Sequence, residues 1–349
     1  MTTTTTPAKQ GIGARLASVT RLDPHITRLV VILLALLVIF AVLRPRNFAN
    51  DATWISMAVQ FPEFGLMALG VMLCMITGGI DLSVVGIANM TSIVAASVML
   101  ALAPGGSATA IIAAMAASLV LGALAGLLNG FLVAKVKIPA ILATLGTLEL
   151  FTGIAIVITA GSPISGLPPE YSAFMAARLF GVIPMQFVVF VVAVVIIGLV
   201  MSRTTFGSKI YMLGTNATSA KFSGLNSTWL LLRTYMFSGV LASMAGLVML
   251  ANYNSAKADY GVVYTLLTVL IVVLGGVNPN GGSGRLFGVV LAIVTLQILS
   301  SGLNLFPQIS NFYRDLIWGG VLLLVIATSG LNGRNRFRWF KRNKEVSSK

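Results

Sequence analysis

A handful of acidic and amide side chains stand in stretches that are otherwise apolar, and they mark where chemistry could occur. In Thr77-Gly78-Gly79-Ile80-Asp81-Leu82-Ser83 a glycine pair closes one apolar run and Asp81 opens the next. Asp81 or Ser83 can cap the following helix by accepting a backbone N–H. An Asp beside a bilayer is also costly and tends to face water, so the wall of a polar path is the alternative. Asn89 follows on nearly the same helical face, flanked by Gly86 and Ser92. Such a stripe suits either a path lining or a hydrogen bond between helices. Gly122, Gly126 and Gly130 give a small-residue face that lets another helix approach closely, with Asn129 either packed there or aimed into the path. In Ala143-Thr144-Leu145-Gly146-Thr147-Leu148-Glu149, residues Gly146, Glu149 and Gly153 share one face while Thr144, Thr147 and Phe151 share another. Glu149 inside an apolar run is a functional site by default, unless it pairs with Arg178 or sits in the outer half near water.

Other chemistry is excluded by what is missing. No G-x-x-x-x-G-K-[ST] occurs, so no phosphate-cradling loop is expected. Gly281-Gly282-Ser283-Gly284-Arg285 lacks its Lys-Ser/Thr ending and reads as a flexible turn. One histidine, His25, and one cysteine, Cys74, cannot make a metal site of the usual kind, so neither metal nor cofactor nor catalytic residue is expected. Energy for any transport must come from a gradient or another chain.

The elements that position these residues follow from composition. The chain has 349 residues, 57% hydrophobic and only 9% charged, where a soluble domain carries about 25% charged residues. The apolar content excludes disorder, and a single cysteine excludes a disulfide scaffold. The fold class is therefore an all-α polytopic membrane protein. A span needs about 20 mostly apolar residues. Ten runs qualify, near 28–43, 54–77, 82–103, 108–134, 139–160, 182–202, 229–252, 261–277, 286–304 and 313–329. The first is short unless it extends back through Ile26, and the eighth is short too. Continuous runs rather than ten-residue alternation exclude an outer-membrane barrel.

The net charge of +14 lies mostly in the tails and short loops, as bilayer orientation requires, and not in a nucleic-acid patch. With the N-terminus in the cytoplasm, inner segments hold eighteen Lys/Arg and outer ones five. Both termini are thus expected inside. The chain divides into a cytoplasmic tail at 1–27, a transmembrane domain at 28–330 and a basic cytoplasmic tail at 331–349. The Thr-rich basic start is too long for a signal peptide's charged region, so the first helix is expected to be retained. Two loops are long. The outer one, Gly161–Gly181, reads as a helix and turn on the membrane surface. The inner one contains Asn216-Ala217-Thr218-Ser219-Ala220-Lys221-Phe222-Ser223-Gly224, a short helix capped by Asn216 and stopped by Gly224. Its small residues suit a groove in another protein; a solvated linker is the alternative.

These motifs resemble the membrane permease subunit of bacterial ABC importers of the ribose type. The likeness covers roughly residues 28–330 and rests on several motifs in the family's order: Thr77–Ser83, Leu127–Gly130, Lys137–Thr147, Pro163–Pro168, Thr204–Gly207, Gly214–Asn226 and Val273–Gly288. The stretch Asn254–Gly261 is closer to the rhamnose and autoinducer-2 permeases. The family often has an acidic residue just before its eighth helix, where this chain has Val263-Tyr264-Thr265-Leu266-Leu267, and Glu149 is not typical at its place. The resemblance implies an inner-membrane permease for a monosaccharide delivered by a periplasmic binding protein. Its partners would be an ATPase that binds ATP in its stead, a second permease copy or paralogue, and lipid. It also implies that Asn216–Gly224 is the helix docking on the ATPase, and that Asp81, Asn89 and Asn129 border the central path. Autoinducer-2 import is the alternative within the family. A proton-coupled carrier using Asp81 or Glu149, or a passive channel, is the alternative outside it.

Overall fold

The structure, a computed structural model, describes residues 24–102 and 107–306, with isolated helical positions 313, 316, 319, 320 and 323. In chain order it contains α1 (Pro24–Leu43), α2 (Pro45–Phe48), α3 (Asp51–Ile76), α4 (Val84–Leu102), α5 (Ala108–Ala134) and α6 (Ala140–Thr159). Then come β1 (Ile164–Ser165), α7 (Pro169–Ala176), β2 (Arg178–Leu179), β3 (Ile183–Pro184), α8 (Met185–Arg203), α9 (Thr205–Thr215) and α10 (Ala217–Phe222). The described part ends with α11 (Ser227–Tyr253), β4 (Ser255–Ala256), α12 (Tyr264–Leu274) and α13 (Leu286–Asn304). Among the described residues, eight helices are long and apolar enough to cross a bilayer: α1, α3, α4, α5, α6, α8, α11 and α13. The expected run 313–329 and the C-terminal tail fall outside the described residues apart from those isolated positions. Most of the N-terminal tail does too. α1 does extend back past Ile26, to Pro24.

Chain chemistry sets the helix starts. Asn50 accepts the Ala52 N–H at the start of α3, and Asn226 accepts the Trp229 N–H at the start of α11. Pro45 and Pro169 occupy first turns, where the missing N–H costs nothing. The centre of the bundle is α11, packed along α5, α3 and α4. Its approach to α5 needs glycine on both sides. A Cβ at Gly122 would lie 2.6 Å from the Gly239 carbonyl oxygen, and one at Gly130 2.8 Å from Leu232 Cα. Backbones at that range leave no room for a methyl, and glycines every fourth residue are how spanning helices reach it. Two two-residue antiparallel ladders lie in the connections: β1 with β4, which ties the loop after α6 to the end of α11, and β2 with β3. The loop helix α7 buries Tyr171, whose hydroxyl donates to the Leu247 carbonyl at 2.6 Å; burial also pushes that hydroxyl far above its ordinary titration range.

The eighth apolar run resolves into something shorter than the expected 261–277. α12 has 11 residues, about 16 Å at 1.5 Å per residue, against about 30 Å of hydrocarbon. Irregular backbone at 257–263 precedes it. Non-helical backbone is tolerated in a membrane only where protein or water covers its polar groups. Here Asn89 of α4 covers two of those groups, the Ala258 and Tyr260 carbonyls.

Candidate functional site

The turn between α3 and α4 is inserted among the helices instead of lying at their ends. Ser238, the twelfth residue of α11, sits about 16 Å along the helix axis from its start, and its hydroxyl donates to Asp81 Oδ2 at 2.7 Å. Asp81 is fully buried. Its Oδ1 accepts the Ser83 backbone N–H at 3.0 Å and the Ser83 hydroxyl at 2.6 Å. Asn129 of α5 donates Nδ2 to Ser83 Oγ at 2.6 Å. Thr144 of α6 donates to the Ile80 carbonyl at 3.0 Å, and Thr147, also buried, donates to the Thr144 carbonyl at 3.3 Å. Three helices, α5, α6 and α11, therefore close on one seven-residue turn, and Asp81 both braces the start of α4 through Ser83 and joins it to α11. Two polar atoms beside it, Asn129 Oδ1 and the Tyr235 hydroxyl, are buried with no hydrogen-bond partner among the described residues. Gly79 is required by its neighbour, since a Cβ there would meet the Tyr235 oxygen at 2.5 Å.

Asn89 lies away from that turn. Its Nδ2 donates to the Ala258 carbonyl at 2.9 Å and the Tyr260 carbonyl at 2.8 Å. One amide group thus satisfies two carbonyls of the irregular backbone ahead of α12.

Glu149 and the two threonines of α6 part company. Thr144, Thr147 and Phe151 face the bundle, while Gly146, Glu149 and Gly153 face outward with Leu142 and Leu150. A Cβ at Gly146 or Gly153 would meet nothing within 4 Å. Glu149 forms no ion pair with Arg178 among the described residues.

At the opposite end of α11 from Asn252, α9 and α10 fill the long loop. The Asn216 carboxamide oxygen accepts the Ser219 N–H at 2.9 Å, and Gly224 ends the segment at φ +79°. Ala220 is buried against the bundle; Ala217, Thr218, Ser219 and Lys221 are exposed, and Phe222 is 88% exposed. The glycine-rich loop expected to be a flexible turn is packed in place behind this element. Gly282 donates its N–H to the Ile76 carbonyl at 2.9 Å, and the Tyr211 hydroxyl donates to the Gly284 carbonyl at 2.8 Å.

Sequence reasoning passed over Glu63. It lies midway along α3, 3% exposed, with Oε1 accepting Asn252 Nδ2 at 2.7 Å and Oε2 accepting the hydroxyls of Tyr253 at 2.9 Å and Tyr264 at 3.1 Å. The signal was present: an acid inside an apolar run, next to Pro62, is subject to the same rule that singled out Glu149.

A centrally packed bundle of long apolar helices, a polar turn buried at its heart and an exposed helix on one end define a multi-span membrane protein. A family profile described as "Branched-chain amino acid transport system / permease component" matches residues 53–326, and the chain belongs to that family of transport permeases. The ribose import permease protein RbsC of Bacillus subtilis (strain 168) is 32% identical over 295 residues, 84% of this chain and 89% of that one. The D-allose transport system permease protein AlsC of Escherichia coli (strain K12) is 30% identical over 300 residues, 86% and 90% of the two chains. The autoinducer 2 import system permease protein LsrC of Yersinia enterocolitica is 32% identical over 301 residues, 85% and 81%. Among solved structures, an inward-facing, putative metal-chelate type ABC transporter superposes with a TM-score of 0.51 at 16% identity, covering 87% of this chain and 98% of that one; this likeness concerns the fold. The chain is a multi-pass permease of the bacterial inner membrane, and its relatives are transport proteins, not enzymes.

Proposed function

We propose that the chain is the membrane subunit of an ATP-driven importer of a monosaccharide. A periplasmic binding protein delivers the sugar, and a separate ATPase grips α10 and supplies the work. The cargo reading rests on the ribose and allose permeases among the relatives; autoinducer-2 is the alternative, from LsrC. The Lys/Arg bias places α9, α10 and the loop at 278–285 in the cytoplasm, with both termini, and β1 and β4 outside.

The observation that carries the coupling role is the two-sidedness of α10. Ala220 holds it to the bundle, while Ala217, Thr218, Ser219, Lys221 and the bare Phe222 ring face away. An exposed ring on a capped, braced helix is what a docking element needs. The path reading rests on α6. A carboxylate on the outward face of a spanning helix is expensive against lipid, so the stripe of Gly146, Glu149 and Gly153 borders water, with a second permease copy or paralogue across it. Behind that stripe Thr144, Thr147, Asn129 and Asp81 brace the wall, and Asn89 holds the segment ahead of α12.

The test is Ala217→Asp in the assembled importer. Sugar uptake per ATP hydrolysed should fall severalfold while the permease remains in the membrane; unchanged uptake removes α10 as the docking element. The purified permease alone should hydrolyse no ATP. Uptake by it in a proton gradient, abolished by an uncoupler, would reject the ATP-driven reading in favour of a carrier using Asp81 or Glu149.

A further inference from the structure

A cavity of about 640 Å³ lies between the starts of α1 and α13, the end of α12 and α9, lined by His25, Tyr211, Gly276, Asn278, Ser283 and Arg285 among others. It is within the size range of small-molecule sites, roughly 300–1,000 Å³. Arg285 supplies its charge, and no Asp or Glu stands among the described residues that line it. In the orientation given above it lies at the cytoplasmic surface, where α1 and α13 enter the bilayer. We propose that this cavity holds the phosphate of one anionic phospholipid of the cytoplasmic leaflet. The proposal uses that orientation and does not depend on the cargo.

The lining has the chemistry for it. A guanidinium carries its N–H donors in a fork that matches a phosphate, so Arg285 can hold two phosphate oxygens and keep other contacts as well. Tyr211 shares the cavity with it. Burial pushes the Tyr211 hydroxyl above its ordinary titration range, and the Arg285 charge opposes that shift in part. The phenol therefore stays neutral, with its hydrogen donated to the Gly284 carbonyl at 2.8 Å, and brings no negative charge against an anion. The floor is preformed. Asn278 donates its N–H to the Ser283 carbonyl at 3.0 Å, and Gly282 donates its own to the Ile76 carbonyl at 2.9 Å. A Cβ at Gly276 would come within 3.4 Å of His25 Cβ, so the imidazole stands over bare backbone. Outside the cavity the surface changes character along α1. Arg28, exposed one turn on from His25, adds a second cation on the same face. Beyond it Val31 and Ile32 are exposed, and so is Phe287 in the first turn of α13, which packs beside α1. A basic pocket between spanning helices on the cytoplasmic side suits an anionic headgroup, and the apolar wall leading from it into the bilayer suits acyl chains. A free anion would use the pocket and leave that wall without a role.

The experiment uses the full-length permease in detergent micelles, with Ser283→Cys as a reporter on the cavity wall. Cys74 is buried, so the unsubstituted chain serves as the blank. Labelling by the uncharged N-ethylmaleimide is timed with added phosphatidylglycerol, phosphatidylcholine of the same acyl chains, or inorganic phosphate. Phosphatidylglycerol should slow labelling severalfold, at a concentration where the other two change it by less than about twofold. This comparison needs no change at Arg285. Adding Arg285→Gln should then raise the phosphatidylglycerol concentration for half protection about fivefold, the worth of one basic side chain at an anionic surface. Arg285→Lys, which keeps the charge, should recover most of that loss. Arg203→Gln, a basic residue at the end of α8 on the same side of the membrane, should shift it by less than about twofold. Equal protection by phosphatidylcholine would mean that the headgroup charge is not read, and equal protection by inorganic phosphate would make this a free-anion site. An equal shift in Arg203→Gln would reduce it to diffuse surface attraction. Each of these results overturns the proposal, as does labelling that no lipid slows.

Discussion

Asp81 separates two roles that a buried carboxylate can play, and substitution distinguishes them. In Asp81→Asn the amide oxygen still accepts the Ser83 N–H and hydroxyl, and the amide nitrogen can donate to Ser238 Oγ, whose own hydrogen can turn to the carbonyl one turn back. The three contacts at 3.0, 2.6 and 2.7 Å are all retained in altered form. Asn also caps nearly as well as Asp, so the expected cost is within about 1 kcal/mol. In Asp81→Ala the Ser83 N–H is orphaned inside the bundle, at about 1–3 kcal/mol, and two hydroxyls lose a charged acceptor, so the sum is on the order of 2–5 kcal/mol. Reversible unfolding of the purified permease in mixed micelles reads the difference. Asn near wild type with Ala several kcal/mol below makes Asp81 a joint whose geometry matters. Asn as unstable as Ala would show that the negative charge itself is needed, and the cap-and-joint account would fall.

Asn89→Leu removes the donor shared by the Ala258 and Tyr260 carbonyls; at about 1–3 kcal/mol for each buried group left unpaired, the permease should lose on the order of 2–6 kcal/mol and become protease-sensitive between residues 254 and 263. Cleavage there unchanged from wild type would show that other groups hold the segment. Gly214→Ala puts a methyl against the Ile76 carbonyl and 2.5 Å from the Gly282 nitrogen. Overpacking of that kind costs about 1–3 kcal/mol, and ATP hydrolysed per sugar carried should rise severalfold while docking of the ATPase, read by pull-down, is kept; unaltered stoichiometry would refute it.

The spans were legible because hydrocarbon leaves so few solutions. A run of 19 mostly apolar residues such as Met185–Arg203 has one stable form, and its bounds follow from Pro184 and Arg203. The faces of α6 were legible for the same reason: period 3.6 fixes which of Thr144, Thr147, Gly146 and Glu149 lie together whatever the neighbours are. The depth of the turn at Thr77–Ser83 was not. Whether a glycine-flanked turn sits at a helix end or is drawn into the bundle depends on the shape of the helices around it, here the slot that Gly70 and Gly79 open against Ser238 and Tyr235. Asn89 was similarly opaque. Its partners lie 169 and 171 residues away, and the need it meets, a half-length α12, is a property of another segment. Glu63 was readable as an anomaly but its partners were not, since its three donors come from the junction of α11 and α12.

What joins α9 and α10 to the buried turn is backbone laid directly on backbone. A Cβ at Gly281 would lie 2.8 Å from Gly78 Cα, and one at Gly282 2.8 Å from Thr215 Cα. Thr215 is the last residue of α9, adjacent to the Asn216 cap of α10, and Gly78 stands three residues before Asp81. Side chains usually form a layer that absorbs small displacements by changing rotamer; here the layer is missing, and the Gly282 N–H to Ile76 carbonyl bond pins the contact. Close-packed interiors transmit strain, so a push on α10 reaches the end of α3 and the buried turn with little loss. The glycines at 281 and 282 serve this contact through the absence of a side chain. That explains why a loop with the composition of a flexible linker is packed tightly between α9, α10 and the polar centre of the bundle.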